Sequence, residues 1–450
     1  MRIPPEAIPI IQAGVPRLGE ARFPSPLSRP ERVEDWDRQF QNDSDRVLVS
    51  PYLAVWRKSL EAGEEPLGYE LAGPRREIFF DPKSARAAIV TCGGLCPGLN
   101  DVIRRLVLSL HHHYGVTQVY GIRYGYQGLV EGRSEAPILL TAESIEPISN
   151  EGGTFLGSSR GDQDSVEMVD FLHRRKIGVL FTIGGDGTQR GALAIAREAE
   201  KRGYALSVVG LPKTIDCDIG LVEKTFGFDT AVSIAAEVLR GAHVESEAEK
   251  NGIVIVKLMG RQSGFLATHA SIASGDVNFI LIPEVRFDLE GEKGLLAALK
   301  SRLERRGHAL IVVAEGVVDT VLSESEKRAA QGPDHNPVLD DVGVYLKDRI
   351  SRHFKAIGFE SRIRYIDPSY YVRSLPAIPI DSIFCQNLAN HAVHAAMSGR
   401  TRLMVATCNG VYCHIPLEAV VLGRRYVDPN GPLWRSALET TGQPAHMLND

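Results

Sequence analysis

The 450-residue chain is poor in cysteine, carries little excess charge and contains no long apolar run. Each shortage removes a class of protein. Six cysteines (Cys92, Cys96, Cys217, Cys385, Cys408 and Cys413) are too few for a disulfide framework in so long a chain. The close pair Cys92 and Cys96 has no matching Cys/His pair to complete a zinc site. A formal net charge of −5 gives no electrostatic reason to expect nucleic acid or an anionic membrane as partner. An anionic substrate would therefore need a local cluster of Arg and Lys. No segment approaches the ~20 apolar residues of a membrane span. The start, broken by Pro4, Pro5, Pro9 and Pro16 and lacking a basic lead, has no secretory pattern, and His446–Asp450 is no peroxisomal address. A cytoplasmic protein is expected. Neither GxGxxG nor the Walker GxxxxGK[ST] pattern occurs, and no solenoid-length repeat is evident.

What is present is a globular composition, 44% apolar and 24% charged, with 43 glycines that imply many tight loops. The length predicts two or three packing units. Residues 1–80 are rich in proline and charge and read as an extended N-terminal arm, with Val47–Val49 and Tyr52–Trp56 expected to pack against something. From about residue 85, short β-branched runs alternate with helical stretches, the pattern of βα units and a mostly parallel sheet. The strands expected are Ala87–Thr91, Gly178–Ile183, Leu206–Val209, Ile253–Val256, Phe279–Ile282, Ala309–Ala314 and Leu403–Thr407. Two successive sets, about 85–225 and 228–370, suggest two similar lobes, and 320–338 reads as a surface insertion.

The loops after these strands carry the chemistry, because ligands of open α/β sheets bind outside the carboxyl ends of the strands. Gly93–Asn100 leads into a helix near Asp101 and is either an anion-binding turn or a turn that uses Gly for steric reasons. In Gly184–Thr188 the glycines allow close approach of phosphate, Asp186 offers a hard oxygen to Mg²⁺ and Thr188 a hydroxyl. That motif is shared with NAD kinases and lipid kinases, so it indicates phosphoryl transfer without naming the acceptor. In the third loop Asp216 and Asp218 stand beside Lys213 and Thr214, candidates for proton acceptor, metal or water contact and phosphate neutralisation. Arg160, Lys213, Arg261, Arg364 and Arg373 supply the cationic cluster. His111–His113, at an expected helix end, lack ligand spacing.

The segments TCGGLCPGLN, GGTFLGSSR, IGGDGTQRGA, PKTIDCDI, FGFDTAV, KLMGRQSGF and RYIDPSYYVRSLP, in this order, resemble those of the 6-phosphofructokinases, over about residues 85–440. The resemblance is strongest to the longer ATP-using subgroup. It implies two Rossmann-like lobes: a nucleotide-binding lobe, 81–227 plus 372–425, and a sugar-phosphate lobe, 228–371, flanked by an N-terminal extension, 1–80, and a C-terminal segment, 426–450. It implies that Gly94, Arg160, Gly161, Gly185, Asp186, Gly187 and Thr188 hold ATP, with Asp186 on Mg²⁺. Asp216 would take the proton of the sugar 1-hydroxyl, with Lys213, Thr214 and Arg261 assisting the transfer. Thr214, Ile215, Asp216, Met259, Gly260, Arg261, Glu315, Arg364, Tyr370 and Arg373 would bind fructose 6-phosphate. Family members are usually tetramers with some sugar contacts crossing a subunit interface, so a homo-oligomer, tetramer or dimer, and an allosteric glycolytic enzyme are expected.

Three departures stand out. Cys217 replaces the Asn usual between the two Asp residues, Tyr370 stands where short bacterial enzymes have His, and no Arg occurs near Asn251 and Gly252. For the donor, pyrophosphate users typically place Asp at the position of Gly187, where bulk and charge oppose the nucleotide's α-phosphate. Gly187 therefore points to ATP, whereas Lys213 is shared with pyrophosphate users. A pyrophosphate-dependent enzyme is the alternative. A non-catalytic sugar-phosphate-binding subunit fits less well, since Asp216 is retained.

Overall fold

The computed structural model describes residues 3–28, 40–133, 135–322 and 341–449. The expected insertion at 320–338 lies, from residue 323 onward, outside them. The chain divides into two compact units: residues 1–214, 219–227 and 374–425 form the first, and residues 215–218, 228–373 and 426–450 the second.

A short ribbon, β1 (Phe23–Pro24) with β4 (Glu77–Ile78), accompanies the first unit's main sheet. Nine strands make that sheet: β2 (Arg46–Leu48), β3 (Gly68–Leu71), β5 (Arg86–Thr91), β6 (Gln118–Ile122), β7 (Ile138–Leu139), β8 (Val179–Gly184), β9 (Ser207–Pro212), β14 (Leu403–Cys408) and β15 (Val411–Pro416). Their spatial order is β2-β3-β15-β14-β9-β8-β5-β6-β7. The run from β14 to β6 is parallel, and the flanking strands are antiparallel. Every residue of β8, β9 and β14 is buried, which is why they read as unbroken apolar runs rather than alternating ones.

The N-terminal residues do more than extend from this unit. β2 and β3 are strands of its sheet, and Val49 and Tyr69 join its core. A buried ionic cluster fastens them. The Glu70 carboxylate, on β3, accepts from Arg400, from Arg75 Nη2 at 3.1 Å and lies 3.1 Å from His414 Nδ1. Arg400 and Arg75 also reach Asp43, at 2.6 and 3.2 Å. Burial opposes ionisation of Glu70, but His414 and Arg400 outweigh it and hold the carboxyl well below its usual range. Removing one partner of so enclosed a cluster costs about 3–5 kcal/mol. The second expected contact is not found among the described residues. Tyr52 is 72% exposed and the helix Leu53–Glu61 buries no residue, so this apolar segment is not covered by the described residues.

The second unit is built on four parallel strands, β10 (Gly252–Leu258), β11 (Phe279–Leu281), β12 (His308–Ala314) and β13 (Arg362–Ile366), in the order β11-β12-β10-β13. The helices Phe228–Glu247, Leu295–Arg306 and Val342–Ala356 pack on them. Residues 426–450 belong here rather than standing apart: Gln443 pairs with Ile280, and Val427 N donates to half-buried Glu284. Burial raises the Glu284 carboxyl above its usual range.

Candidate functional site

In the first unit three loops emerge from the carboxyl ends of β5, β8 and β9 and are tied together by hydrogen bonds. After β5, Gly93 N donates to Ser159 O at 3.0 Å and Ser158 Oγ to Gly93 O at 2.6 Å. Thr91 Oγ1 donates to Gly157 O at 2.6 Å. These bonds set the turn bearing Arg160 and Gly161 beside Gly93 and Gly94. Arg160 is exposed, and Gly161 has φ +97°, a left-handed conformation that suits Gly. The Gly93–Asn100 turn runs into the helix Leu99–Ser109, and a Cβ on Gly98 would stand 2.6 Å from Cys385 Sγ, so this Gly is required for packing.

After β8 the helix Asp186–Lys201 starts from Gly185, whose backbone approaches without a side-chain cap. A Cβ on Gly184 would overlap Thr188, at 2.1 Å from its Oγ1. Around Gly187, by contrast, no atom lies within 4 Å of the Cβ position. The helix N-terminus, with its exposed backbone N–H groups and its dipole, favours an anion. Asp186 is paired rather than bare: its Oδ2 accepts from Arg190 Nε at 3.2 Å and from Arg424 Nη2 at 3.0 Å. After β9, Lys213 is only 5% exposed and its Nζ donates to Gly94 O at 2.7 Å, linking the first and third loops. Thr214 O accepts from Thr225 Oγ1 at 2.6 Å.

In the second unit the corresponding edge collects Ile215 and Asp216, Met259–Arg261 after β10, Glu315 after β12, and Tyr370 and Arg373 in the short helix Ser369–Ser374 after β13. Ser263 Oγ donates to Asp216 O at 2.9 Å, which holds the Asp216 segment to the turn following Arg261. Gly260 (φ +128°) leaves no room for a Cβ, which would meet Ser263 O at 2.3 Å, and Gly316 N donates to Gly260 O. Arg261 is exposed and stands 3.8 Å from Glu315. The Arg373 guanidinium lies over the Tyr370 ring, 4.8 Å from its centroid. Cys217 has φ +53°, the left-handed region that Asn enters more easily than Cys.

One expected sugar-phosphate residue is not brought to this edge. Arg364 pairs in register with Val254, near the amino end of β10, about 20 Å along the strand direction from Gly260. Its guanidinium meets Glu245 at 3.3 Å and Glu249 at 2.6 Å. With Lys250, Glu360 and Arg362 it lines an open hollow of about 530 Å³.

His111–His113 occupy a π-helical turn, Leu110–Tyr114. Among the described residues a single group of metal-ligand type side chains is gathered, His243, Glu247 and His308, unforeseen in the sequence. Arg302 Nη2 lies 3.5 Å from His308 Nε2, a contact that needs this nitrogen as acceptor. Arg424 and Ser158 were likewise unforeseen. Each acts across a gap in sequence, 238 and 65 residues from its partner, with no local pattern to mark it.

Comparison with known proteins bears on the family and the fold. Residues 86–396 match the family model described as phosphofructokinase. The ATP-dependent 6-phosphofructokinase of Borreliella burgdorferi is 44% identical over 96% of this chain and 97% of its own. That of Amycolatopsis methanolica is 43% identical over 96% of this chain and 94% of its own. Among solved structures, the pyrophosphate-dependent phosphofructokinase of Marinobacter aquaeolei superposes with TM-score 0.65 at 20% identity, covering 80% of this chain and 92% of its own. At that identity the likeness concerns the fold.

Proposed function

The chain belongs to the phosphofructokinase family, and from that premise we propose that it is an ATP-dependent 6-phosphofructokinase. It transfers the γ-phosphoryl group of Mg·ATP to O1 of fructose 6-phosphate, giving fructose 1,6-bisphosphate in glycolysis. The observation that carries the donor is the space at Gly187. An Asp would fit there without a clash, so the absent carboxylate is a difference in charge and bulk toward the ligand rather than a demand of the fold. Names of relatives at 40–44% identity, all ATP-dependent, support the same donor.

The roles follow the loops. Gly94, Arg160, Gly161, Gly185, Gly187 and Thr188 hold the nucleotide phosphates, with the N-terminus of the Asp186 helix donating backbone N–H groups. Asp186 fits a magnesium ion: both its guanidinium partners contact Oδ2, so Oδ1 can serve as the hard oxygen ligand. The cation would neutralise charge on the transferring phosphate. Lys213, buried with its Nζ on the Gly94 carbonyl, fixes the shape of the phosphate loop and places a positive charge behind it. Asp216 accepts the proton of the sugar 1-hydroxyl, and Arg261 stabilises the transferring group. Thr214, Ile215, Met259, Gly260, Glu315, Tyr370 and Arg373 hold the sugar phosphate. Arg364, remote from this edge within its own unit, serves the site of a neighbouring subunit in a homo-oligomer, a tetramer or dimer.

The reading places the enzyme in the cytoplasm; among the described residues no helix is long and apolar enough to cross a membrane. The deciding experiment compares initial rates with ATP and with pyrophosphate, using Mg²⁺ and fructose 6-phosphate. Product from ATP alone is expected. Faster turnover with pyrophosphate would reverse the donor, and no product from either would overturn the activity.

A further inference from the structure

Strand β10 ends in the residues proposed to hold the sugar phosphate, yet its last polar side chain before them, Lys257, has no part in that reading. It is a lysine with a largely buried side chain, and its Nζ lies between two carboxylates, 2.6 Å from Asp341 Oδ2 and 2.8 Å from Asp367 Oδ2. The two acids organise different segments. Asp341 caps the helix Val342–Ala356, accepting from Gly343 N at 2.9 Å and Val344 N at 3.2 Å, and also accepts from Tyr365 Oη. Asp367 accepts from Ser369 N at 3.0 Å and so starts the short helix Ser369–Ser374 that carries Tyr370 and Arg373. One ammonium thus joins the strand that leads into Met259–Arg261 to the turn that presents Tyr370 and Arg373.

We infer that Lys257 is a positioning residue for the sugar-phosphate edge: it fixes the Tyr370/Arg373 turn against the Met259–Arg261 turn without touching substrate itself. The inference rests on the function proposed above. Three physical points support it. The ammonium has three donors and here meets two half-buried acceptors, a geometry in which charge-assisted bonds are strong. Burial works against both carboxylates ionising, but Lys257 outweighs it and both are held below their usual range. The short helix is shallowly seated. It has six residues, only Val372 of them buried, and Tyr370 is 74% exposed. Without Lys257, two carboxylates drawn to one point would repel each other. Asp341 is anchored by its cap and by Tyr365, so the movement would fall on Asp367 and the turn behind it.

The test is a kinetic and binding series on the full chain: Lys257→Met, Lys257→Arg, Asp367→Asn and wild type. Lys257→Met is expected to raise KM for fructose 6-phosphate about tenfold while kcat stays within about threefold and KM for ATP is unchanged, the pattern of lost substrate positioning rather than lost chemistry. Lys257→Arg should recover most of the affinity. Asp367→Asn, which keeps Lys257 on Asp341, should show a smaller shift of the same kind and serves if Lys257→Met does not fold. A fall in thermal stability with unchanged KM for fructose 6-phosphate would mean a purely structural pair and overturn the inference. So would equal rises in KM for both substrates, or no rescue by Arg. A wild-type protein that does not phosphorylate fructose 6-phosphate would instead overturn the proposed function.

Discussion

The two units build their ligand edges from different materials. In the nine-stranded unit the edge is backbone: glycines at 93, 94, 184, 185 and 187, a helix N-terminus, and one lysine, 5% exposed, bonded to a carbonyl. In the four-stranded unit the edge is side chains reaching outward, with Arg261 70% exposed and Tyr370 74% exposed. Backbone donors locked by cross-loop hydrogen bonds are in place before a ligand arrives, whereas long cationic side chains give up rotamer freedom when they bind. The difference suits the two substrates proposed. A polyphosphate is met by a rigid cradle, and a smaller sugar phosphate is gripped by arms that close on it.

The comparison breaks first at Asp216. Asp216→Asn is expected to lower kcat by roughly 10²–10⁴-fold while fructose 6-phosphate still binds, as read by calorimetry. Unchanged turnover would remove Asp216 as the base. A smaller effect separates the two edges directly. Gly187→Asp adds a carboxylate to the rigid cradle, and kcat/KM for ATP should fall roughly 10–100-fold through like-charge opposition. Affinity for fructose 6-phosphate should not change; if it falls equally, the edges are not independent.

Acid bears on stability through buried imidazoles. Burial pushes His391 and His414, in the nine-stranded unit, down to about 4. Unfolded imidazoles take a proton near ~6.5. Between those values the unfolded chain binds more protons, so stability falls as pH drops from 6.5 to 4. Glu70, held ionised when folded, adds to the loss at lower pH in the same direction. Urea midpoints measured across this range should decline, and His391→Gln should flatten the slope. A flat profile for the native protein would show that these rings are not kept neutral by burial.

The smallest effect concerns the single residue between the third-loop carboxylates, Cys217. Cys217→Asn places in the left-handed region a residue that tolerates it, with an expected gain of about 0.5–1 kcal/mol read from the urea midpoint. A loss instead would mean that the buried thiol packs better than the backbone strain costs.

The elements legible in sequence were those whose burial is complete. Each of the seven expected strands is present within three residues at its ends, because parallel strands covered on both faces leave continuous apolar runs. β13 escaped notice because it lies at the sheet's edge and its Arg-Ile-Arg-Tyr-Ile sequence alternates charged and apolar residues. β15 was hidden by its polar members; His414 is buried there through Glu70, 344 residues away in sequence. The site was legible as loops, since Gly and Asp clusters after strands are local signals. Its supports were not. Arg424 beside Asp186 and Lys257 between Asp341 and Asp367 depend on which distant segments meet, and no spacing announces that. Arg364 shows the converse: the residue fits a motif, but its strand register puts it at the far end of the sheet from Gly260.

The boundaries between the units fall after residues 214, 218, 227, 373 and 425, so the chain passes from one to the other five times. Neither unit can be cut out as one continuous fragment, and a single nick anywhere between residues 219 and 424 leaves pieces that each contain parts of both. A truncation designed to express the nucleotide edge alone would discard part of its own sheet, β14 and β15, unless the halves were rejoined by a new linker. Dissecting this enzyme therefore calls for circular permutation or trans-complementation of fragments rather than for shorter versions of the gene.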